Sequence, residues 1–427
     1  MFRDGRRIIP RLAPGGFYEG LAPAWDKIRS ILTLAFHAPM HPDPTPLIER
    51  LAAHGRRLVI VASGGGAGAI AGLVGTPGAS AVVLEGLVPY ARTAADGLLG
   101  GPQESYCSSA TARRLAVAAW QRAAQLAGGS APTDACLGVA VTASLRTVAP
   151  KRGQHRVFAA AHSLAATDIA DLVLEKDARS RADEETLAAA LALAVVNGAT
   201  GGDPELPAGL LRAGEQVIRT RVEPPAAWRE LATGQRTAVA AGGRDDEPPQ
   251  PGGLVFPGSF NPLHDGHRRM AAIAAEIAER PVAYELSITN VDKPALDWLE
   301  LRDRAAQFGT AADGPSRLWL TRAATFLEKL EVFPESTFVM GADTYVRLAD
   351  ARYYGGSADA AAAAVRTIAR KTRGLIVFGR VKDGVFQDPA QLDVPAELRS
   401  VTYFVSQREF RMDLSSTEIR RRASPCD

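Results

Sequence analysis

Apolar residues fall along this chain into short β-branched runs separated by stretches in which they recur at helical spacing. LIERLAAHG leading into RRLVIVA predicts a helix followed by a strand, and SGGGAGAIAGLVGTPGASAVVLEGLVPY predicts a glycine loop, a small-residue helix, a turn and a second strand. Residues 110–127 and 183–196 read as amphipathic helices, with DACLGVAVTA and HRVFAAAHS as strands between them. Periodicity stops at AGGRDDEPPQPGG, Ala241 to Gly253, where prolines, glycines and acids read as a linker. A second series begins with the strand LVF and the helix HRRMAAIAAEIAER. VAYELSI, RLWLT, TFVM, LIVFGR and TYFVS follow as strands between further helices, and SSTEIRRR opens a last short helix. Such alternation predicts α/β layers. The chain divides into an extension over 1–45, a first α/β domain over 46–240, a linker over 241–253 and a second α/β domain over 254–427.

Length agrees with that division, since single cores stop growing near about 250–300 residues and this chain has 427. With 46% apolar and 22% charged residues, both halves have the composition of folded domains, and a net charge of +2 gives no bulk argument for nucleic acid or an anionic membrane. The uncharged stretch Leu58 to Leu84 is cut by Gly64–Gly66 and Thr76-Pro77-Gly78 into pieces shorter than the roughly 20 residues a spanning helix needs. Three scattered cysteines, Cys107, Cys136 and Cys426, form neither a disulfide framework nor a zinc knuckle, and MFRDGRRIIPRLAPGG lacks a signal-peptide core. A cytoplasmic protein without nucleic-acid or membrane partners is expected. A homo-oligomer stays open.

The candidate chemistry lies in GSFNPLHDGH, directly after the strand LVF and at the mouth of a helix, where backbone N–H groups and the helix dipole favour phosphate. Gly258 has no side chain to keep a nucleotide away, Asn261 and Pro262 fix the turn, and Gly266 lets a ligand approach between His264 and His267. Both imidazoles can then donate to oxygens that gain charge at a phosphoryl centre. A zinc reading fails for want of ligands, because this half has no other His and, of cysteines, only Cys426. Near the other end, Ser415 or Ser416 caps a short helix, Glu418 closes a capping box, and Arg420 can reach an anion at the helix mouth.

GSFNPLHDGH resembles the GxFNPxHxGH signature of the nucleotidyltransferase superfamily, and its FNP form is similar to the nicotinate or nicotinamide mononucleotide adenylyltransferases. MDLSSTEIRRR resembles that family's S-S-T-x-I-R motif, and FVMGADTYVRL its G-A-D turn. The resemblance implies a Rossmann-like fold with a mainly parallel sheet, and adenylyl transfer from ATP to a mononucleotide with magnesium on the phosphates. It implies catalytic roles for His264, His267 and Arg420, and contacts to ATP from Gly258, Ser259, Phe260, Gly266, Lys293, Gly341, Asp343, Ser415, Ser416 and Thr417. Asn261, Tyr353 and Arg302 (or Arg304) fall at acceptor or phosphate positions; no metal ligand from the protein is assigned. Where the family has a pyridine-stacking tryptophan this chain has Ala351, with Tyr353 and Tyr354 just beyond.

LVIVASGGGAGAIAGLVGTPGASAVVLEGLVPYA resembles the opening of the CinA-type C-terminal domain, whose active members are nicotinamide-nucleotide amidases. Aligned on PGAS, Ser63 falls at the family's nucleophile and Tyr90 at its tyrosine, but the family's lysine falls on Ala95 and its glutamate on Ala62, and VTASLRT replaces its Gly-rich loop. A serine without a base is a poor nucleophile. The implied domain is a degenerate amidase that keeps a pocket; the basic loop of Lys151, Arg152, His155 and Arg156 could hold a phosphate there, and Lys151 is the alternative base. Rival readings are nucleotidyl transfer to another phosphate monoester, such as phosphopantetheine or a polyol phosphate, and a scaffold in which neither half turns over.

Overall fold

The computed structural model describes residues 43–128, 134–241, 248–309, 317–382 and 385–411. The first domain carries a mixed six-stranded sheet, ordered β2-β1-β3-β4-β5-β6, built from β1 (Arg57–Ser63), β2 (Val83–Leu87), β3 (Cys136–Ser144), β4 (His155–His162), β5 (Thr167–Leu174) and β6 (Ile218–Val222). β1 runs parallel to β2 and β3, and β3 through β6 are antiparallel. Both faces of β1 are buried: Leu58, Ile60 and Ala62 join the core under the helix Arg181–Ala199, and Val59 and Val61 join the core under the helix Ser109–Leu126. The two helices start where sequence chemistry caps them, at Ser180 with Asp183 and at Ser108, whose hydroxyl accepts from Thr111 N.

The second domain is a seven-stranded sheet ordered β15-β12-β11-β8-β9-β10-β7, with β7 (Ala238–Ala240), β8 (Leu254–Pro257), β9 (Val282–Ser287), β10 (Leu318–Thr321), β11 (Thr337–Gly341), β12 (Gly374–Phe378) and β15 (Thr402–Val405). A small hairpin, β13 (Arg380–Lys382) with β14 (Val385–Gln387), stands apart. All pairings in the large sheet are parallel except that of β7 with β10. β7 lies on the N-terminal side of the segment read as a linker, yet its backbone pairs Ala238 to Ala240 with Thr321 to Trp319 of the second sheet. Strand order grows from β8 toward β9 and β10 on one side and toward β11, β12 and β15 on the other. The switch point, where open parallel sheets bind ligands at the strands' carboxyl ends, therefore falls between β8 and β11.

The two domains share one apolar core. Trp120, Ala123 and Ala124 of the helix Ser109–Leu126 and Trp228 and Leu231 of the first half belong to the same buried cluster as Phe256, Phe260, Tyr284 and Trp298. Among the described residues no helix is long and apolar enough to cross a membrane.

Candidate active site

β8 delivers the loop Gly258–His264 to the switch point, and the helix Asp265–Ala278 leaves it with His264 as N-cap. The loop is anchored by Phe260, which is wholly buried, adopts a positive φ of 44°, and meets Phe256, Tyr284 and Phe308 edge-on. A Cβ on Gly258 would come 2.5 Å from the Phe260 ring. This corrects the reason given for that glycine: it makes room for the loop's own anchor. The peptide between Asn261 and Pro262 is cis.

His264 and His267 come together at the helix mouth, their rings stacked with centroids 3.8 Å apart, and His264 N–H donates to His267 Nδ1 at 3.3 Å. Burial pushes the His267 imidazole down to about 4, with His264 adding to the effect. Burial also lowers His264, against the opposing pull of Asp265. Both rings are therefore neutral near pH 7 and present N–H groups rather than charges. The His264 Nδ1 is buried without a partner among the described residues.

The helix Trp298–Ala306 braces the loop from behind. Arg304 donates to Ser259 O at 2.8 Å, Gln307 Oε1 accepts from Leu263 N at 2.7 Å while its amide reaches Phe260 O at 3.3 Å, and Asn261 Nδ2 donates to Glu300 at 3.3 Å. Arg304 is almost fully buried and also pairs with Glu300, so it serves the loop's backbone. Arg302 points away on the exposed face, 3.0 Å from its neighbour Asp303.

Across the switch point, β11 ends at Gly341 and the helix Ala342–Arg347 begins. Among the described residues a Cβ on Gly341 would meet nothing within 4 Å, so their packing does not call for glycine there. Asp343 is taken up by an ion pair with Arg380. Tyr353 lies in the short turn Ala351–Tyr354, half-buried. Lys293 is exposed in the loop Asn290–Pro294, which lines a groove of about 580 Å³ with Gly97, Leu98 and Arg122 of the first domain. The exposed Arg352 guanidinium is pushed up by Asp350 first and more weakly by Tyr353 and Asp292, which brings that loop within electrostatic reach of the tyrosine turn. Ser415, Ser416, Thr417 and Arg420 lie outside the described residues.

In the first domain, Ser63 ends β1 and its hydroxyl donates to Pro89 O at 3.0 Å. The left-handed Gly64 after it, at φ 76°, abuts the Ala143 carbonyl closely enough that no Cβ would fit. A cleft of about 540 Å³ opens here, lined by Gly64, Tyr90, Cys107, Ser144, Lys151 and Arg181. Lys151 Nζ lies 3.1 Å from Ser144 Oγ, and burial pushes the amine down, opposed by Cys107 and Glu184 and assisted by Arg181. Ala62 and Ala95, where the resembling family carries its carboxylate and lysine, are only 1% and 2% exposed, so both positions are core. His155 does not belong to a phosphate loop: its side chain is 1% exposed and holds Glu184 at 2.6 Å, a buried pair under the sheet.

Sequence reasoning missed a recess between the domains. A cavity of about 180 Å³ lies among Trp120, His162 and Gln125 of the first domain and Thr289, Trp298 and Arg322 of the second. Burial alone pushes His162 down to about 3, and its Nδ1 lies 2.8 Å from Thr167 Oγ1. Trp120 Nε1 is buried with no partner among the described residues. The one readable signal nearby was Asp297, three residues before Glu300, in the position of a cap for the helix Trp298–Ala306.

The comparisons with known proteins divide along the same line. No curated protein matches the chain. The N-terminal part matches CinA superfamily structures. A competence-damaged protein (CinA) superfamily protein from Escherichia coli is 23% identical over 36% of this chain and 85% of that one, with a TM-score of 0.30. The competence/damage inducible protein CihA from Agrobacterium tumefaciens is 20% identical over 36% of this chain and 92% of that one, also at 0.30. Residues 255–422 match the family described as Cytidylyltransferase-like. The C-terminal segment, with its paired histidines at the switch point of a mainly parallel sheet, is a cytidylyltransferase-like nucleotidyltransferase domain.

Proposed function

We propose that this domain transfers the adenylyl group of ATP to the phosphate of a pyridine mononucleotide, nicotinate or nicotinamide mononucleotide, releasing pyrophosphate and forming a dinucleotide. The observation that carries the reading is the stacked pair His264 and His267 at the carboxyl end of β8, beside the switch point and across from Gly341. The acceptor phosphate attacks the α-phosphorus in line, the bond to the β-phosphate oxygen breaks, and no covalent enzyme intermediate is needed. Neutral imidazole N–H groups donate to the α-phosphate oxygens as they gain charge, and an anion at that point favours the protonated rings, opposing the burial that lowers their pKa. Magnesium would arrive on the nucleotide's own phosphates. When bound, it would neutralise charge on the departing pyrophosphate.

The aromatic recess of Trp120, His162 and Trp298 lies at the carboxyl ends of β9 and β10, next to β8 in the sheet. Neighbouring strands stand about 4.8 Å apart, so a ring there and a phosphate at the histidines would be separated by roughly 10 Å. This supports a pyridine ring as the acceptor's base despite Ala351. The first domain, whose Ser63 hydroxyl is spent on Pro89 O, acts as a non-catalytic partner.

Pyrophosphate release with ATP, magnesium and a panel of phosphate monoesters tests the reading. Turnover with pyridine mononucleotides is expected. Turnover with phosphopantetheine alone would replace the acceptor, and none with any ester would remove the enzyme.

A further inference from the structure

The helix Trp298–Ala306, which braces the histidine loop, takes its own support from the other domain. Arg113 of the helix Ser109–Leu126 donates to both oxygens of Asp297 at 2.7 Å, and Asp297 is 1% exposed. The same carboxylate caps the bracing helix, accepting from Leu299 N and Glu300 N at 3.0 Å each. Arg114 stands 3.8 Å from Glu300, the residue that holds Asn261. Trp298 completes the attachment, its backbone N–H donating to Thr167 Oγ1 at 3.1 Å and its indole N–H to Ser163 O at 2.8 Å. Every partner in these contacts, Arg113, Arg114, Thr167 and Ser163, belongs to the first domain.

We propose that the first domain is a working part of the transfer site, with Arg113 as a positioning residue that fixes the histidine loop through Asp297 and the helix Trp298–Ala306. The chain of contacts is continuous: Arg113 to Asp297, Asp297 to the helix start, and from that helix Glu300 to Asn261, Arg304 to Ser259 O and Gln307 to Phe260 O and Leu263 N. Loop residues 259, 260, 261 and 263 are thus each held by one helix, and His264 follows at once. One guanidinium nitrogen, Nη1, serves both carboxylate oxygens, a charge-assisted contact that holds Asp297 where it caps the helix. Without Arg113 the buried carboxylate is left uncompensated and the helix start must shift to reach water. A displacement of about 1 Å at a reacting group costs on the order of 10² in rate.

This inference rests on the adenylyl-transfer reading for its kinetic arm only. In the full-length protein, Arg113→Ala is expected to lower kcat for pyrophosphate release roughly 10- to 100-fold with the KM for ATP changed less than about threefold. Arg113→Lys, which keeps the charge on a shorter, compact ammonium, is expected to fall between wild type and Arg113→Ala. Hydrogen exchange at the amides of residues 258–267 should speed up in Arg113→Ala while β11 and β12 stay protected. Should Arg113→Ala fail to fold, the lysine variant carries both measurements. A lowered melting temperature with wild-type kcat and wild-type exchange in the loop would overturn the proposal. If the wild type turns over no pyridine mononucleotide, the functional reading falls, and the exchange data alone still decide whether Arg113 holds the loop.

Discussion

His264 and His267 stack with ring centroids 3.8 Å apart and an interplanar angle of 29°, each held toward its neutral form by burial. Two imidazolium ions at that separation would repel strongly, so the pair resists carrying two positive charges unless an anion sits over it. In the proposed reaction the pair would meet phosphate as neutral donors.

His267→Ala removes one donor while leaving Phe260 and the bracing helix in place. Pyrophosphate release should fall by about 10²–10³ in kcat, in line with the loss of one oxyanion donor, at an unchanged circular dichroism spectrum. Wild-type turnover in this variant would end the assignment of the histidines.

Acid should destabilise the protein through His162 and His267. Their folded values, about 3 and about 4, lie below the ordinary 6.5, so the unfolded chain binds more protons over this interval. Stability is therefore complete above about pH 6.5 and is lost as pH falls toward 4 and then 3. Thermal melts across this range should show the decline, and His162→Asn should flatten its lower part. In the proposed reaction ATP would draw His264 and His267 toward protonation, so titration calorimetry near pH 5.5 in buffers of different ionisation enthalpy should register proton uptake on binding.

Two glycines of the site separate packing from ligand space. Gly341→Ala adds a methyl group where no atom of the described residues lies within 4 Å and should leave the melting temperature unchanged while raising the KM for ATP. Gly258→Ala drives a Cβ against the Phe260 ring at 2.5 Å and should cost about 1–3 kcal/mol of stability, read by chemical denaturation. An ATP KM indifferent to Gly341→Ala would move the nucleotide elsewhere.

Much of this was legible in the residues, and the limits have physical causes. The strand–loop–helix unit around His264 and the turn at Gly341 were readable because each follows a β-branched run and carries its own turn chemistry. β5 and β6 went unread, since Asp168 and Asp171 interrupt the apolar pattern of the one and IRTRV is polar over most of the other; Arg221 of β6 answers Asp168 across the pair at 2.7 Å. The Arg113–Asp297 pair and the recess at Trp120 could not be read at all, because contacts between residues 184 positions apart leave no periodicity. Glycine at 258 was visible, but its reason was not: whether such a residue yields to a ligand or to a ring depends on where Phe260 turns.

The first domain offers a sharp test of lost chemistry. With Ser63 Oγ donating to Pro89 O and Lys151 Nζ directed at Ser144, ammonia release from nicotinamide mononucleotide should not exceed that of Ser63→Ala. Release above that control would restore the amidase and identify Lys151 as its base, to be checked with Lys151→Ala.

The placement of β7 has a practical side. A fragment cut at the proline-rich tether, starting near residue 248, would leave behind β7, the antiparallel partner of β10, and bare Leu318, Trp319 and Leu320 along that flank, an invitation to intermolecular strand addition. Expression of the nucleotidyltransferase half by itself should therefore begin ahead of Ala238, and a precipitating shorter fragment would report a missing strand rather than an intrinsically unstable domain.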